Sequence, residues 1–111
     1  MTPKATRIES KHIRNAARGE QCTLNIIGIC NGNPETTVLA HLPDESHGMG
    51  RKSDDISAVF ACHACHDCID GRIKWPHGDA GPREWYLRRA QTRTLRRLIE
   101  LGVVTIKGVK L

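Results

Sequence analysis

Thiols and imidazoles dominate the reactive side chains of this sequence, with five cysteines and six histidines in 111 residues. Cys62 and Cys65 form a C-x-x-C, the spacing by which one tight turn delivers two thiolates to a single tetrahedral ion. The other half of such a site would come from Cys22 and Cys30, at the two ends of the β-rich run CTLNIIGIC. The seven residues between them exceed the usual spacing of about two to four. A strand that starts at Cys22 and doubles back at the turn cluster NGNP would still join the pairs into a four-cysteine structural zinc site. The competing reading makes Cys22 and Cys30 ordinary buried thiols. Cys68 is expected in the core.

A second group has the types needed for phosphodiester hydrolysis. That reaction requires a water deprotonated on one side of phosphorus and a divalent cation stabilising charge on the other. His41 ends the run VLAH just before a proline-broken loop, and an imidazole of ordinary pKa, about 6.5, suits a general base near neutrality. His66 and Asp70 stand at i and i+4 on an expected helix and so share one face. An imidazole and a carboxylate there would hold a catalytic cation, Mg²⁺ or Mn²⁺ before Zn²⁺, while leaving coordination positions open. The alternative is a surface pair worth about a few tenths of a kcal/mol. His47 is a candidate phosphate contact and His63 a solvent-facing residue, whereas His12 and His77 carry no motif.

These residues must be positioned by a single α+β domain covering residues 1–111, because the chain is too short for two independent cores. Its four aromatics, Phe60, Trp75, Trp85 and Tyr86, fill little volume, so a metal staple is expected to supplement the core. Residues 1–9 read as a frayed lead. Ser10 is a good N-cap for a helix over SKHIRNAARG that stops at Gly19. CTLNIIGIC and TTVLAHL then read as two strands joined by NGNP. PDESHGMGRKSDD is a polar loop long enough to be functional, and its Arg51 and Lys52 are candidate phosphate contacts. ISAVFA is a short apolar segment, CHACHDCIDGR a helix ending at Gly71, and residues 82–101 a long helix that opens on Pro82 and stops at Gly102. VVTIKGVKL closes the chain as a strand or tail.

Charge is unevenly spread. Residues 1–60 balance seven basic against seven acidic side chains, so the formal +5 of the chain resides in residues 61–111. Within the long helix Arg89, Arg93 and Arg97 recur every four residues on one face, where they would meet the phosphates of DNA without reading its sequence. A solvated helix face would show the same period. There is no apolar run near the roughly 20 residues that span a bilayer, and no signal-peptide h-region, so the expected location is the cytoplasm, with no membrane partner. In that reducing compartment, metal binding is the expected use of the cysteines.

The order of these features, a cysteine pair, a histidine ending a β-rich run, a loop and then C-x-x-C-H-D, resembles the HNH nucleases, which have a treble-clef or ββα-metal fold. More closely, ARGEQC, GICNGNPETTVLAHL, the GMGRKSDD loop and ACHACHDCID are similar to the YbcO family carried by lambdoid prophages, over roughly residues 14–72. The resemblance implies a small zinc-stapled treble-clef domain with an N-terminal helix and a long basic C-terminal helix. It implies a metal-dependent endonuclease of low sequence specificity acting in phage DNA metabolism or recombination, with phage or host recombination proteins as further partners. Two departures matter. Where most HNH enzymes place an acidic residue or histidine just before the base, this chain has Ala40. In place of the middle asparagine it has Asp55, Ile56 and Ser57, of which Asp55 could orient His41. Asp70 stands where many HNH sequences put their last His or Asn. The alternative function is a non-catalytic zinc-containing module that binds nucleic acid.

Overall fold

Local capping places the first helix, α1 (Lys11–Ala16), where the Ser10 hydroxyl accepts a hydrogen bond from the Ile13 N–H at 3.2 Å. The computed structural model describes residues 6–42, 53–76, 78 and 81–111. After α1 the elements are a single 3₁₀ turn (Pro34–Thr36), β1 (Val38–His41), β2 (Ala58–Ala61), α2 (His63–Ile69) and α3 (Arg83–Glu100). β1 and β2 pair antiparallel, with Val38 opposite Ala61 and His41 opposite Ala58. This is a small α+β arrangement of one two-stranded sheet and three α-helices among the described residues.

The expected strand over CTLNIIGIC does not form. Asn25 adopts a left-handed φ of 46° and Gly28 one of 79°, conformations that interrupt any extended run. The amides of Ile29 and Cys30 both fold back onto the Ile26 carbonyl, at 3.0 and 2.9 Å. Apolar residues here serve burial rather than a ladder: Leu24 and Ile26 are fully enclosed in the core. β1 therefore pairs with β2, in the apolar segment ISAVFA, not with this run. The closing VVTIKGVKL is likewise no strand, and Val103 and Val104 instead turn back, both donating to the Leu98 carbonyl.

β2 is buried along its whole length because it separates two apolar clusters. Val59 and Ala61 face Leu24, Ile26, Tyr86 and Ala90, whereas Phe60 faces Ile13, Ala17 and Leu98. Its outer edge is closed by Thr23 and Thr94. The Thr23 N–H and hydroxyl donate to the Phe60 carbonyl at 2.8 and 2.9 Å, and the Phe60 N–H donates to Thr94 Oγ1 at 3.1 Å. An open strand edge thus becomes a satisfied, buried seam to α3. Tyr86 is held edge-on between Trp75 and Trp85, centroids 5.4 and 5.1 Å away.

Residues 6–9 depart from the expected frayed lead. The Ile8 N–H donates to Asp54 Oδ1 at 2.9 Å, the Asp55 N–H to the Ile8 carbonyl at 2.9 Å, and Arg7 Nε to the Ser53 carbonyl at 3.0 Å. Backbone and side-chain bonds to residues 53–55 tie this segment down.

Candidate functional site

The sulfurs of Cys22, Cys30, Cys62 and Cys65 all lie within 4.8 Å of one another, with none of the cysteines in a disulfide. The turn at Asn25–Cys30 explains how the wide spacing still works: the chain doubles back before NGNP, not at it. Cys62 is the N-cap of α2, where its sulfur accepts from the Cys65 N–H at 3.4 Å, so the first turn of that helix presents both thiols. Asn25 Nδ2 donates to Cys30 Sγ at 3.7 Å. The hydrogen bond from Cys65 lowers the Cys22 thiol to about 5, with burial opposing and the Asn25, Cys62 and Leu24 backbone assisting. Burial pushes Cys30 up, and the same shared bond with Cys22, followed by burial, pushes Cys65 up. Clustered thiols can share only so much negative charge, and four together can hold a metal ion. Cys68 is buried outside this cluster, as a core residue.

His41 lies at the other end of β1 in a polar network of its own. Its Nε2 is 2.8 Å from Asp55 Oδ1, with the carboxylate side chain 0% exposed and the imidazole 23% exposed. A lone pair on Nε2 would face a carboxylate oxygen at that distance, so Nε2 carries the proton. That tautomer leaves Nδ1 as the acceptor. Asp55 Oδ2 accepts from the Ser10 N–H at 2.7 Å, and Arg7 and Arg14 approach the two carboxylate oxygens at 3.5 and 3.4 Å. Burial pushes the Asp55 carboxyl up, but the bond from His41, the Ser10 amide and the charges of His41 and Arg14 outweigh it and hold the carboxyl below its ordinary value. Arg7 Nη2 also lies 3.5 Å from His41 Nε2, and Nη1 pairs with Glu9.

His66 and Asp70 do share a face of α2, with Nε2 and Oδ2 3.1 Å apart. Arg72 reaches the same Asp70 oxygen at 3.3 Å and Asp67 at 3.1 Å. Hydrogen bonds and ion pairs between described residues do not link His41 to His66 or Asp70. Arg51, Lys52, His47 and His77 lie outside the described residues.

The arginine stripe of α3 faces the chain itself. Arg89 Nη2 donates to the Leu24 carbonyl at 2.9 Å and stacks 4.3 Å from the Trp85 ring. Arg93 donates to Asn25 Oδ1 at 3.1 Å, and Arg97 pairs with Glu20 at 2.8 Å. Successive turns of α3 therefore clamp residues 20–25, the approach to the cysteine turn. Sequence reasoning missed this, along with Arg7, Ser10 and Arg14 around Asp55. Periodicity shows which side chains share a face but not what that face meets.

A family model described as "Putative nuclease YbcO" matches residues 11–103. Two relatives carry that description, one from Escherichia coli (strain K12) and one from Enterobacteria phage 82. Each is 43% identical over 93 residues, covering 83% of this chain and 95% of the relative. A solved structure described as "a putative bacteriophage protein" from Escherichia coli K-12 aligns with a TM-score of 0.59 at 39% identity, over 82% of this chain and 100% of that one.

Proposed function

The chain belongs to the YbcO family, and on that premise we propose that it is a metal-dependent endonuclease hydrolysing DNA with little sequence preference. The observation that carries the reading is the His41–Asp55 pair. A buried carboxylate on Nε2 fixes the ring of a partly exposed imidazole and leaves Nδ1 as its acceptor. Nδ1 takes a proton from water, the water oxygen bonds to phosphorus, and the bond from phosphorus to the leaving oxygen breaks. Asp55 is the positioning residue, in place of the middle asparagine of the HNH pattern.

Cys22, Cys30, Cys62 and Cys65 would hold a structural zinc. A Zn–S bond of about 2.3 Å implies tetrahedral sulfur separations of about 3.8 Å, and Cys30 Sγ and Cys62 Sγ are 3.9 Å apart. With the turn before Cys30, the β1–β2 pair and α2, this donor set fits a treble-clef domain of the HNH kind. His66 and Asp70 would hold the catalytic cation, Mg²⁺ or Mn²⁺, which when bound supplies positive charge to the leaving oxygen. The phage relative supports a phage or prophage setting; a role there in DNA metabolism or recombination, with recombination proteins as partners, is part of the same proposal.

One observation favours the other reading, a zinc-containing module that binds nucleic acid without cutting it. His66 and Asp70 are closed on each other and on Arg72, so a cation has to open that cluster. Plasmid nicking by the purified chain, with EDTA, Mg²⁺ or Mn²⁺, separates the two. Cleavage should depend on the added cation, fall by about 10²–10⁴-fold in His41→Ala, and need more cation in Asp70→Ala, with zinc content unchanged in both. DNA binding without nicking under every cation would establish the module instead.

A further inference from the structure

α3 carries a second polar strip, roughly 170° of helical rotation from the stripe that clamps residues 20–25. Arg88 and Gln91, at i and i+3, line a groove of about 450 Å³ together with Leu42 and Ser57. This volume lies in the range of ligand sites, about 300–1,000 Å³. Leu42 and Ser57 are joined by a backbone bond, the Leu42 N–H donating to the Ser57 carbonyl at 2.8 Å, so the end of the β1–β2 pair forms one wall of the groove and α3 the other. Among the described residues, Arg88 and Gln91 are exposed and their side chains have no hydrogen-bond or ion-pair partner. Every arginine of the other strip has one. Glu84 also lines the groove, but Arg83 lies beside it at 3.8 Å and also donates to the Ile69 carbonyl at 2.9 Å, so Arg88 remains as the uncompensated charge.

We propose that this groove, with Arg88 and Gln91 as its contacts, seats the DNA phosphodiester backbone. The proposal rests on the reading that the chain acts on DNA. It divides α3 into a strip engaged in the fold and a strip left for the ligand. A planar guanidinium with free N–H groups next to an amide donor suits phosphate oxygens, which the sequence of the bases does not alter.

The test is fluorescence anisotropy of a labelled DNA duplex in EDTA over a series of salt concentrations, where binding is read without cleavage. The double variant Arg88→Gln, Gln91→Ala should bind about tenfold more weakly, with a salt slope shallower by about one. Arg88→Glu should lose more, and Arg93→Gln should stay within about twofold of wild type. Unchanged thermal unfolding and zinc content will show that these exposed positions left the fold intact. Wild-type affinity in the double variant, or a loss confined to Arg93→Gln, overturns the groove and leaves the nuclease reading standing. A wild-type chain that binds no DNA at any salt overturns both.

Discussion

Around the cysteines, two pairs of like groups converge on one point through local devices, a turn at Asn25–Cys30 and the first turn of α2. Around His41, unlike groups are assembled from three separate segments. Arg7 and Ser10 come from the segment leading into α1, His41 from β1, and Asp55 from the segment leading into β2; Ser10 and Asp55 are 45 residues apart. The first arrangement is suited to holding a metal ion that must not leave. The second holds one ring in one tautomer while leaving a face open. A stable staple and a reactive group are thus separated at the two ends of a four-residue strand.

The sharpest way to break this contrast is to remove a cysteine. Structural zinc contributes roughly 10–16 kcal/mol in small domains, comparable to or above the whole net stability of about 5–15 kcal/mol. Cys65→Ser, or chelation of the wild type, should therefore abolish cooperative unfolding by circular dichroism and reduce zinc from about one per chain to near none. Asp55→Asn should do neither. A chain that keeps its fold in chelator would show that the thiols are only core residues.

Cys62 and Cys65 were legible in the sequence because C-x-x-C is a local code, and the His66–Asp70 pair because helical spacing is local too. The Asp55 partner of His41 was legible as an expectation from position. Its supporting contacts were not, since nothing near Arg7 or Ser10 signals a bond some 45 residues away. The strand pairing was misread for a related reason. NGNP suggests a tight hairpin, but Asn25 takes a left-handed conformation that extended-run counting does not register. β1 then pairs with AVFA, whose uninterrupted apolar character reflects burial on both faces. The basic period of α3 was read correctly as a face, yet that face meets Leu24, Asn25 and Glu20.

A smaller effect is expected where the two regions are joined. Thr94 is buried, accepts from the Phe60 N–H at 3.1 Å and meets the Thr23 hydroxyl at 2.9 Å. Thr94→Val keeps the shape but leaves the Phe60 N–H without an acceptor, at a cost of about 1–3 kcal/mol. Urea denaturation should show this loss, and Thr94→Ser should recover most of it. No change in Thr94→Val would mean that the seam between β2 and α3 is held by packing alone.

The smallest effect expected is a pH dependence confined to the His41 region. The folded Asp55 carboxyl is held below its ordinary value of 3.8, because the bond from His41, the Ser10 amide and nearby charge outweigh burial. A carboxyl that binds its proton less readily in the folded than in the unfolded chain adds stability. That contribution is complete above 3.8 and disappears as pH falls through the lower folded value. Acid also protonates the cysteine thiolates, but Asp55→Asn shares that loss with the wild type, so the difference between the two proteins isolates the carboxylate. The stability gap should be constant from about pH 7 to pH 5 and narrow below about pH 4. A gap that persists unchanged to about pH 3 would mean that His41 and Asp55 are joined by geometry alone, without the charge that fixes the proton on Nε2. His41 would then have no reason to present Nδ1 as a base.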